Sequence, residues 1–340
     1  MGRISKDAAR LHREAVALVD SGRPLTETEK EFVLDHFHEA ADTAHNLAGA
    51  FFTPEALAQD FATFHIDGTR IIDLCAGIGR LAFHALNRYD HQYNGEPLRQ
   101  IVCVEKNPDY VRVGRAVLPE ATWICADVLD VPDMLDELGG LFDCAISNPP
   151  FGRIARDRDS PIYTGPEFEF HVVAVAAKVA RSGAFILPQE STPYRYSSYV
   201  PRQSVHAKSA KYLRFEQQTG IDLQFGVGIN TCGDTYAWRG VKPVTEIVIS
   251  HFDHPEPEEQ PVPDTTAATP TAWGLVQEIV AATNLPKPGK RKKRLKQIRR
   301  EHAAQLHLTD GTGEHTVGSV LDKALAQAKA DHRKEKQTAA

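Results

Sequence analysis

Residues 71–83, IIDLCAGIGRLAF, join an apolar run to a glycine turn and then to a second apolar segment. This pattern predicts a buried β-strand that leads through the turn into an α-helix. Similar apolar runs recur at 100–107, 121–128, 142–148 and 183–188, with helical stretches between them. Strands that alternate with helices predict a parallel sheet covered by helices on both faces. The sequence therefore predicts an α/β fold.

The glycine turn predicts a nucleotide-like ligand but leaves its identity open. The spacing Gly77-x-Gly79-x-x-Ala82 fits the dinucleotide fingerprint, so a nicotinamide oxidoreductase is one alternative. Asp73 argues against it, because a carboxylate at the strand end would repel a pyrophosphate at the helix N-terminus. An acid there suits a ligand with an ammonium and a sulfonium group, such as S-adenosylmethionine.

Acidic residues also end the next two predicted strands. Glu105 follows the run at 100–104, and Asp127 follows the run at 121–126. The carboxyl ends of parallel strands meet at one edge of a sheet, where ligands of such folds bind. Glu105 is placed to accept hydrogen bonds from both ribose hydroxyls, and Asp127 from the adenine amino group.

The fourth predicted strand ends in the tetrapeptide NPPF, which comprises Asn148, Pro149, Pro150 and Phe151. Proline locks its own φ and biases the preceding residue toward an extended backbone. The tetrapeptide is therefore predicted to hold one amide and one aromatic ring rigidly at the edge of the sheet. A rigid turn without chemistry is the alternative.

Taken in order, these motifs resemble those of the amino-group methyltransferases of the class I fold, specifically the N6-adenine DNA methyltransferases. The resemblance extends from about residue 50 to residue 252, with a gamma-like motif order. It implies a Rossmann-like fold with a mostly parallel seven-stranded sheet. It also implies that FFTPEALA (51–58) is the FxTP element, which packs on the methionine portion of the cofactor. The implied cofactor contacts are Phe52, Thr53, Pro54, Asp73, Ala76, Gly77, Gly79, Glu105, Asp127 and Asn148.

The resemblance assigns catalysis to NPPF. Asn148 and the Pro149 carbonyl would accept hydrogen bonds from the target amino group, and Phe151 would stack on a flipped adenine. The implied reaction is direct in-line transfer of a methyl group to N6 of adenine in duplex DNA, for which the enzyme mainly aligns its reactants. A stacked aromatic ring can return ~1–3 kcal/mol of the cost of base extrusion.

Two segments near the predicted catalytic part suggest contacts to nucleic acid. Arg153 and Arg156 follow NPPF, where they could meet backbone phosphates. The segment 189–211 mixes aromatic rings with cations, including Tyr196, Arg202 and Lys208. A solvated surface loop is the alternative for this segment. Because it is small for a recognition region, we expect relaxed specificity or a partner restriction or specificity subunit.

A basic segment near the C-terminus suggests a third contact. Residues 287–300, KPGKRKKRLKQIRR, contain nine Lys or Arg and no acid, and without them the chain's net charge of −6 would be −15. Such a block on an acidic chain predicts an arm for a polyanion, and a solvated helix or a protein contact is the alternative. The predicted DNA contacts here are Lys290, Arg291, Lys292, Lys293 and Arg294.

The predicted organisation has four parts. They are an N-terminal helical segment at 1–45, with Thr26 or Thr28 as a helix cap, a catalytic domain at 46–252, a Pro-rich acidic linker at 253–270, and a helical tail at 271–340 that carries the basic arm 287–300.

Composition adds expectations about location. No apolar run approaches the ~20 residues needed to cross a bilayer, which predicts no membrane partner. The five cysteines show no CxxC pairing, which predicts buried, reduced thiols in a cytoplasmic protein without a metal site.

Three further alternatives stay open. An RNA N6-adenine methyltransferase can share NPPF. A protein glutamine N5-methyltransferase usually has a tetrapeptide that ends in Tyr. A non-catalytic nucleic-acid-binding subunit would not require the acids and glycines.

Overall fold

The computed structural model describes residues 5–38, 51–199, 205–233, 236, 238–254, 279, 282–283, 288–302 and 316–338. The chain divides into two compact units, Met1–Pro255 and Glu256–Ala340. Each unit has its own buried apolar core.

The first unit begins with two helices, α1 (Lys6–Asp20) and α2 (Glu27–His36). Thr26 is the N-cap of α2: its Oγ1 accepts from the Glu29 N–H at 3.3 Å, and the Glu29 carboxylate accepts from the Thr26 N–H at 2.9 Å. This reciprocal capping box fixes the start of α2 and decides between the two predicted caps in favour of Thr26.

Seven strands form one mostly parallel sheet, as predicted. The strands are β1 (Arg70–Leu74), β2 (Gln100–Glu105), β3 (Thr122–Cys125), β4 (Phe142–Ser147), β5 (Ala180–Pro188), β8 (Gln224–Phe225) and β9 (Thr245–His251). Their order is β3-β2-β1-β4-β5-β9-β8, and β9 alone runs in the direction opposite to the other six strands. The order reverses beside β1, where the crevice at the carboxyl ends of the strands is the usual ligand site. Two short strands, β6 (Tyr194–Arg195) and β7 (Val205–His206), form a separate ribbon.

Helices cover both faces of the sheet. They are α3 (Glu55–His65), α4 (Arg80–Ala85), α5 (Pro108–Val117), α6 (Phe168–Val179) and α7 (Ala210–Thr219). Ile71 and Ile72, adjacent in β1, belong to different apolar clusters, because successive side chains of a strand point to opposite faces. The first cluster includes residues of α1 to α5, and the second includes residues of α6 and α7.

The sequence also predicts a further strand at 212–226, after the five apolar runs, but most of this segment is helix α7. The Ser209 Oγ accepts from the Tyr212 N–H at 3.2 Å and caps the helix, and Gly220, with φ 71°, ends it. Tyr212 and Phe215 are three residues apart and both fully buried, which is a helical rather than an alternating period. Only Gln224 and Phe225 remain as strand.

The second unit contains a pair of helices, α8 (Pro288–Glu301) and α9 (Val317–Thr338). Leu295 and Ile298 of α8 pack with Leu321 and Leu325 of α9, so one face of the basic segment is buried. Most of the predicted linker 253–270 and of the apolar segment 272–283 lies outside the described residues.

All five cysteines are free thiols, but two are not buried as expected: Cys75 is half-buried and Cys125 is exposed. Cys125 is exposed because it ends β3, which lies at the edge of the sheet. Among the residues with described placement, no group of His, Cys, Asp and Glu is arranged to hold a metal ion. A search of the same residues for a helix long and apolar enough to cross a bilayer finds none.

Candidate active site

A cavity opens at the carboxyl edge of the sheet, beside the ends of β1 to β4. It encloses about 1110 Å³ of atom-free space, part of it open to solvent. The predicted cofactor residues that line it are Phe52, Thr53, Asp73, Ala76, Gly77, Glu105, Asp127 and Asn148. Pro54 and Gly79 do not line it; they are the N-cap residues of α3 and α4.

Glycine is required at both positions of the turn after β1. Gly77 has φ 58°, and a Cβ there would approach the Phe52 ring to 3.2 Å. Gly79 has φ 91°, and a Cβ there would approach Trp123 to 3.0 Å. Both conformations are left-handed, which side chains disfavour. Cys75, with φ 67°, adopts this region without being glycine, and such strain is often found beside functional sites.

Asp73 is a buried carboxyl group without a partner. It is 1% exposed, and neither of its oxygens has a hydrogen-bond partner among the described residues. Burial, together with the nearby charge of Glu105, raises its pKa to about 8; the Ala82 backbone N–H opposes this shift but does not reach hydrogen-bond geometry. A buried polar group of this kind costs stability unless a ligand satisfies it, and the ligand that suits a carboxylate is a cation.

The two other predicted acids are already hydrogen-bonded. The Glu105 carboxylate accepts from the Gly77 and Asn107 N–H groups, each at 2.8 Å, and so ties the glycine turn to the end of β2. Burial raises the pKa of Glu105 as well. Asp127 accepts from the Lys106 Nζ at 2.8 Å and from the Leu129 N–H at 3.0 Å. Each carboxylate oxygen has two lone pairs, so these contacts leave capacity for a ligand.

Asn148 has one satisfied side and one unsatisfied side. Its Nδ2 donates to the Phe51 carbonyl at 2.9 Å and to the Thr53 Oγ1 at 3.0 Å. Its Oδ1 is buried without a partner among the described residues. The pocket wall therefore presents an unused amide acceptor close to the 51–53 segment.

The backbone that follows NPPF is anchored to helix α6. Gly152 donates its N–H to the Glu169 Oε2 at 2.8 Å and accepts from the Phe168 N–H at 2.7 Å. Glu169 is fully buried, accepts from the Ser191 Oγ at 2.6 Å and lies 3.6 Å from the Lys211 Nζ. Phe151, which precedes Gly152, is half-buried and lies outside the pocket lining that Asn148 and Pro150 share.

Several lining residues were not predicted from the sequence. Arg80 lines the pocket and pairs with Asp35 at 2.8 Å and with Glu55, which also contacts His84 at 2.9 Å. Arg80 directly follows the second glycine of the turn, and this position could have indicated in the sequence that it lies at the pocket. Its partners lie 45 and 25 residues earlier in the chain, where nothing local marks them.

An aromatic cluster was missed for the same reason. Tyr110 lines the pocket with Phe52, and their ring centroids lie 5.1 Å apart. Phe37, just past α2, lies 6.2 Å from Tyr110 and 6.4 Å from Phe52. The predicted N-terminal helical segment thus supports a wall of the pocket.

The predicted nucleic-acid contacts near the catalytic part have varied surroundings. Arg153 is exposed, whereas Arg156 already donates to Asp159 at 2.8 Å and to the Gly165 carbonyl at 2.9 Å. Tyr196 is half-buried, and its ring lies 5.4 Å from that of Phe225. Lys208 pairs with Glu216 at 2.6 Å. Arg202 lies outside the described residues.

The cations of α8 fall into two groups. Arg291 and Arg299 pair with Asp331 and Asp322 of α9 at 3.5 and 2.7 Å. Arg294 lies 3.5 Å from Glu301 of its own helix. Of the other predicted contacts, Lys290 and Lys293 are exposed and Lys292 is half-buried, none with an ion pair to a described residue.

Comparison with known proteins gives limited likenesses. No family model matches the chain. A segment of 83 residues, 24% of this chain, is 36% identical to 27% of the release factor glutamine methyltransferase of Mycolicibacterium smegmatis.

Solved structures give likenesses of the same limited kind. A type I restriction-modification system methyltransferase subunit from Streptococcus thermophilus is similar at 16% identity and TM-score 0.43, over 66% of this chain and 50% of that one. A SAM-dependent methyltransferase from Agrobacterium tumefaciens is similar at 12% identity and TM-score 0.34, over 60% and 64%. The matches thus span about a quarter of the curated relative and half of the restriction-modification subunit. The strand order of this chain, with its single antiparallel strand, gives it the class I methyltransferase fold.

Proposed function

We propose that this protein transfers a methyl group from S-adenosylmethionine to the N6 amino group of adenine in DNA. One observation carries the proposal: a single pocket contains the unpartnered buried carboxyl group of Asp73 and the unpartnered acceptor oxygen of Asn148. The first suits a cationic donor molecule, and the second suits an incoming amino group.

The pocket has groups for each part of S-adenosylmethionine. Asp73 would face the ammonium group, Glu105 the ribose hydroxyls and Asp127 the adenine amino group. Ala76 and Gly77 would contribute backbone, and Phe52 and Thr53 would border the methionine end, with Pro54 fixing the start of α3. When bound, this cofactor supplies a methyl group that is already activated, so no strong base is required of the protein. Two neighbouring carboxyl groups, Asp73 and Glu105, would disfavour the pyrophosphate of a nicotinamide cofactor.

The acceptor end of the site consists of the NPPF residues. The Asn148 Oδ1 and the Pro149 carbonyl would accept the two N–H groups of the target amine and so orient its nitrogen. Phe151 would stack on the extruded base, and Pro150 fixes the backbone between them. Glu169, through Gly152, holds the end of this segment. The protein thus acts mainly by aligning two reactants.

DNA backbone contact is assigned to the exposed side of α8. A helix advances 100° per residue, which places Lys293 and Arg300 nearly opposite the buried Leu295 and Ile298. Four exposed cations of α8 have no ion pair to a described residue: Lys290, Lys293, Lys296 and Arg300. Their side chains form a cationic stripe along this side of the helix. The stripe is about 15 Å long at 1.5 Å per residue, so it can reach several phosphates of a duplex. Arg291 and Arg294, which are in ion pairs, contribute less, and Lys292 lies at the margin.

Near the catalytic part, Arg153 is the better placed of the two arginines, because the contacts of Arg156 are internal. Tyr196, Arg202 and Lys208 would border the DNA from the segment after β5. That segment is short between β5 and α7, so we also propose a partner subunit for sequence recognition. The cytoplasm is the proposed location.

A protein glutamine N5-methyltransferase is the second candidate, and the 83-residue similarity to a release factor glutamine methyltransferase favours it. Its acceptor, the side-chain amide nitrogen of glutamine, is like adenine N6 an NH2 group conjugated to a π system, which the Asn148 oxygen could orient in the same way. Phe151 in place of the usual tyrosine and the cationic stripe on α8 favour nucleic acid. Adenine in RNA would fit the same pocket.

The proposal is tested by incubating the protein with methyl-labelled S-adenosylmethionine and three acceptors in parallel: unmethylated duplex DNA, RNA and a release-factor-like protein. We expect label in DNA, and none with the Asn148→Ala variant. Label only in RNA or only in protein would move the assignment to that acceptor. No label in any acceptor, together with binding of NAD, would overturn it.

A further inference from the structure

The orientation of the Asn148 side chain is fixed by the segment 51–53. The amide nitrogen of asparagine carries two N–H donors, whereas its oxygen only accepts. Both donors have partners here, the Phe51 carbonyl at 2.9 Å and the Thr53 Oγ1 at 3.0 Å. The oxygen therefore lies on the other side of the amide, where no described residue donates to it.

The opposite orientation of this amide is disfavoured. A 180° rotation would place the Asn148 oxygen against the Phe51 carbonyl, so that two acceptors would face each other without a proton. The same rotation would direct two donors toward an incoming amino group, which also donates. Because the Phe51 carbonyl can only accept, it selects the orientation. The Thr53 hydroxyl, in a side chain only 5% exposed, adds the second point that fixes the amide plane.

We infer that Thr53 is a positioning residue that holds the acceptor oxygen of Asn148 toward the target amino group. Its main task is then not to bind the methyl donor, although it lines the donor's pocket. The positioning role rests on the proposed function, whereas the hydrogen bond from Asn148 does not. Two segments that lie 95 residues apart in the chain are thereby joined into one catalytic element.

Removal of this hydroxyl should impair turnover more than affinity. Thr53→Val keeps the shape of the side chain but leaves one buried N–H of Asn148 without an acceptor, so the amide is held at one point only. The loss of one such hydrogen bond typically reduces transition-state stabilisation enough to lower kcat roughly 5- to 100-fold. The affinity for S-adenosylmethionine should stay within about twofold. Thr53→Ser restores the hydroxyl and should recover most of the turnover.

The experiment compares wild type, Thr53→Val and Thr53→Ser, with Thr63→Val as a matched control on the exposed side of α3. It measures kcat and KM for methyl transfer, and the affinity for S-adenosylmethionine by calorimetry on the free protein. A Val variant that loses cofactor affinity as strongly as it loses turnover would make Thr53 a cofactor contact and overturn the inference. A Ser variant as impaired as the Val variant would do so too.

A second measurement tests the hydrogen bond without any activity. A double-mutant cycle in urea combines Thr53→Val with Asn148→Ala, and the free energy of unfolding is determined for all four proteins. Thr53→Val should destabilise the wild type but have little effect once Asn148 is alanine. If Thr53→Val lowers the free energy of unfolding equally in the wild type and in the Asn148→Ala protein, the hydrogen bond is absent and the inference is wrong. If the wild type methylates no acceptor but the coupling is present, the proposed function fails while the contact stands.

Discussion

Replacement of Asp73 by asparagine should stabilise the protein while it abolishes cofactor binding. The carboxyl group is 1% exposed, has no partner among the described residues, and has a pKa raised by burial to about 8. In the unfolded chain the same group titrates near 3.9. Between these values the unfolded state has lost the proton that the folded state keeps. The stability of the wild type therefore falls as the pH rises through this window.

The size of the effect follows from linkage. Each pH unit within the window costs the wild type about 1.4 kcal/mol, so the loss accumulates to as much as ~5 kcal/mol by pH 8. Asparagine resembles the protonated carboxyl group in shape and cannot ionise. The advantage of Asp73→Asn should thus be small near pH 4 and should grow by about 1.4 kcal/mol per pH unit up to pH 8.

The assay is urea unfolding of wild type and Asp73→Asn at pH 5, 6, 7 and 8, with cofactor affinity measured on the same samples. Asp136→Asn, at an exposed aspartate, is the control and should show no such trend. A stability difference that does not change with pH, or an Asp73→Asn protein less stable than wild type at pH 8, would contradict this expectation. Either outcome would mean that Asp73 is ionised and hydrogen-bonded in the free protein. Asp73 would then give no reason to expect a cationic ligand.

Three other predictions concern the acceptor side. Asn148→Ala should lower turnover by orders of magnitude with little change in S-adenosylmethionine affinity, because the acceptor acts mainly in the transition state; near-normal turnover would contradict the assignment. Phe151→Trp should keep activity while Phe151→Ala weakens binding of the target base, and equal damage from both would indicate simple packing. Conversion of the α8 stripe to glutamine should weaken DNA binding and reduce the slope of log affinity against log salt by up to about 3.6, at ~0.9 for each of four phosphate contacts. The stripe comprises Lys290, Lys293, Lys296 and Arg300. The control converts Lys6, Arg13, Lys178 and Lys242, the same number of exposed cations elsewhere; identical slopes for the two variants would favour a solvated helix or a protein contact.

The sheet could be predicted from the sequence because its strands are rich in apolar residues and its inner parallel strands are largely buried on both faces. Strands β1 to β5 are therefore continuous apolar runs, and the acids that follow β1 to β3 fall together at one edge. Helix α7 could not be told from a strand by its short apolar pattern. The Ser209 cap and Gly220 were visible signals of its ends.

The parts of the site that could not be predicted depend on contacts between distant segments. The bonds from Asn148 to Phe51 and Thr53 span 97 and 95 residues, and no local pattern marks them. The paired and unpaired cations of α8 cannot be distinguished in the sequence, because the acidic residues of α9 that form ion pairs with some of them lie more than twenty residues away. The sequence therefore predicted eight of the cofactor residues that line the pocket, but not how they hold one another.

Methyl transfer to N6 of adenine in DNA is best tested by identification of the methylated product. Unmethylated duplex DNA is incubated with the protein and S-adenosylmethionine that carries a trideuterated methyl group, then digested to nucleosides and analysed by mass spectrometry. We expect N6-methyl-2′-deoxyadenosine with the full deuterium label, and none with Asn148→Ala. Unmodified adenine in DNA, with the label recovered on a protein glutamine or on RNA, would contradict it.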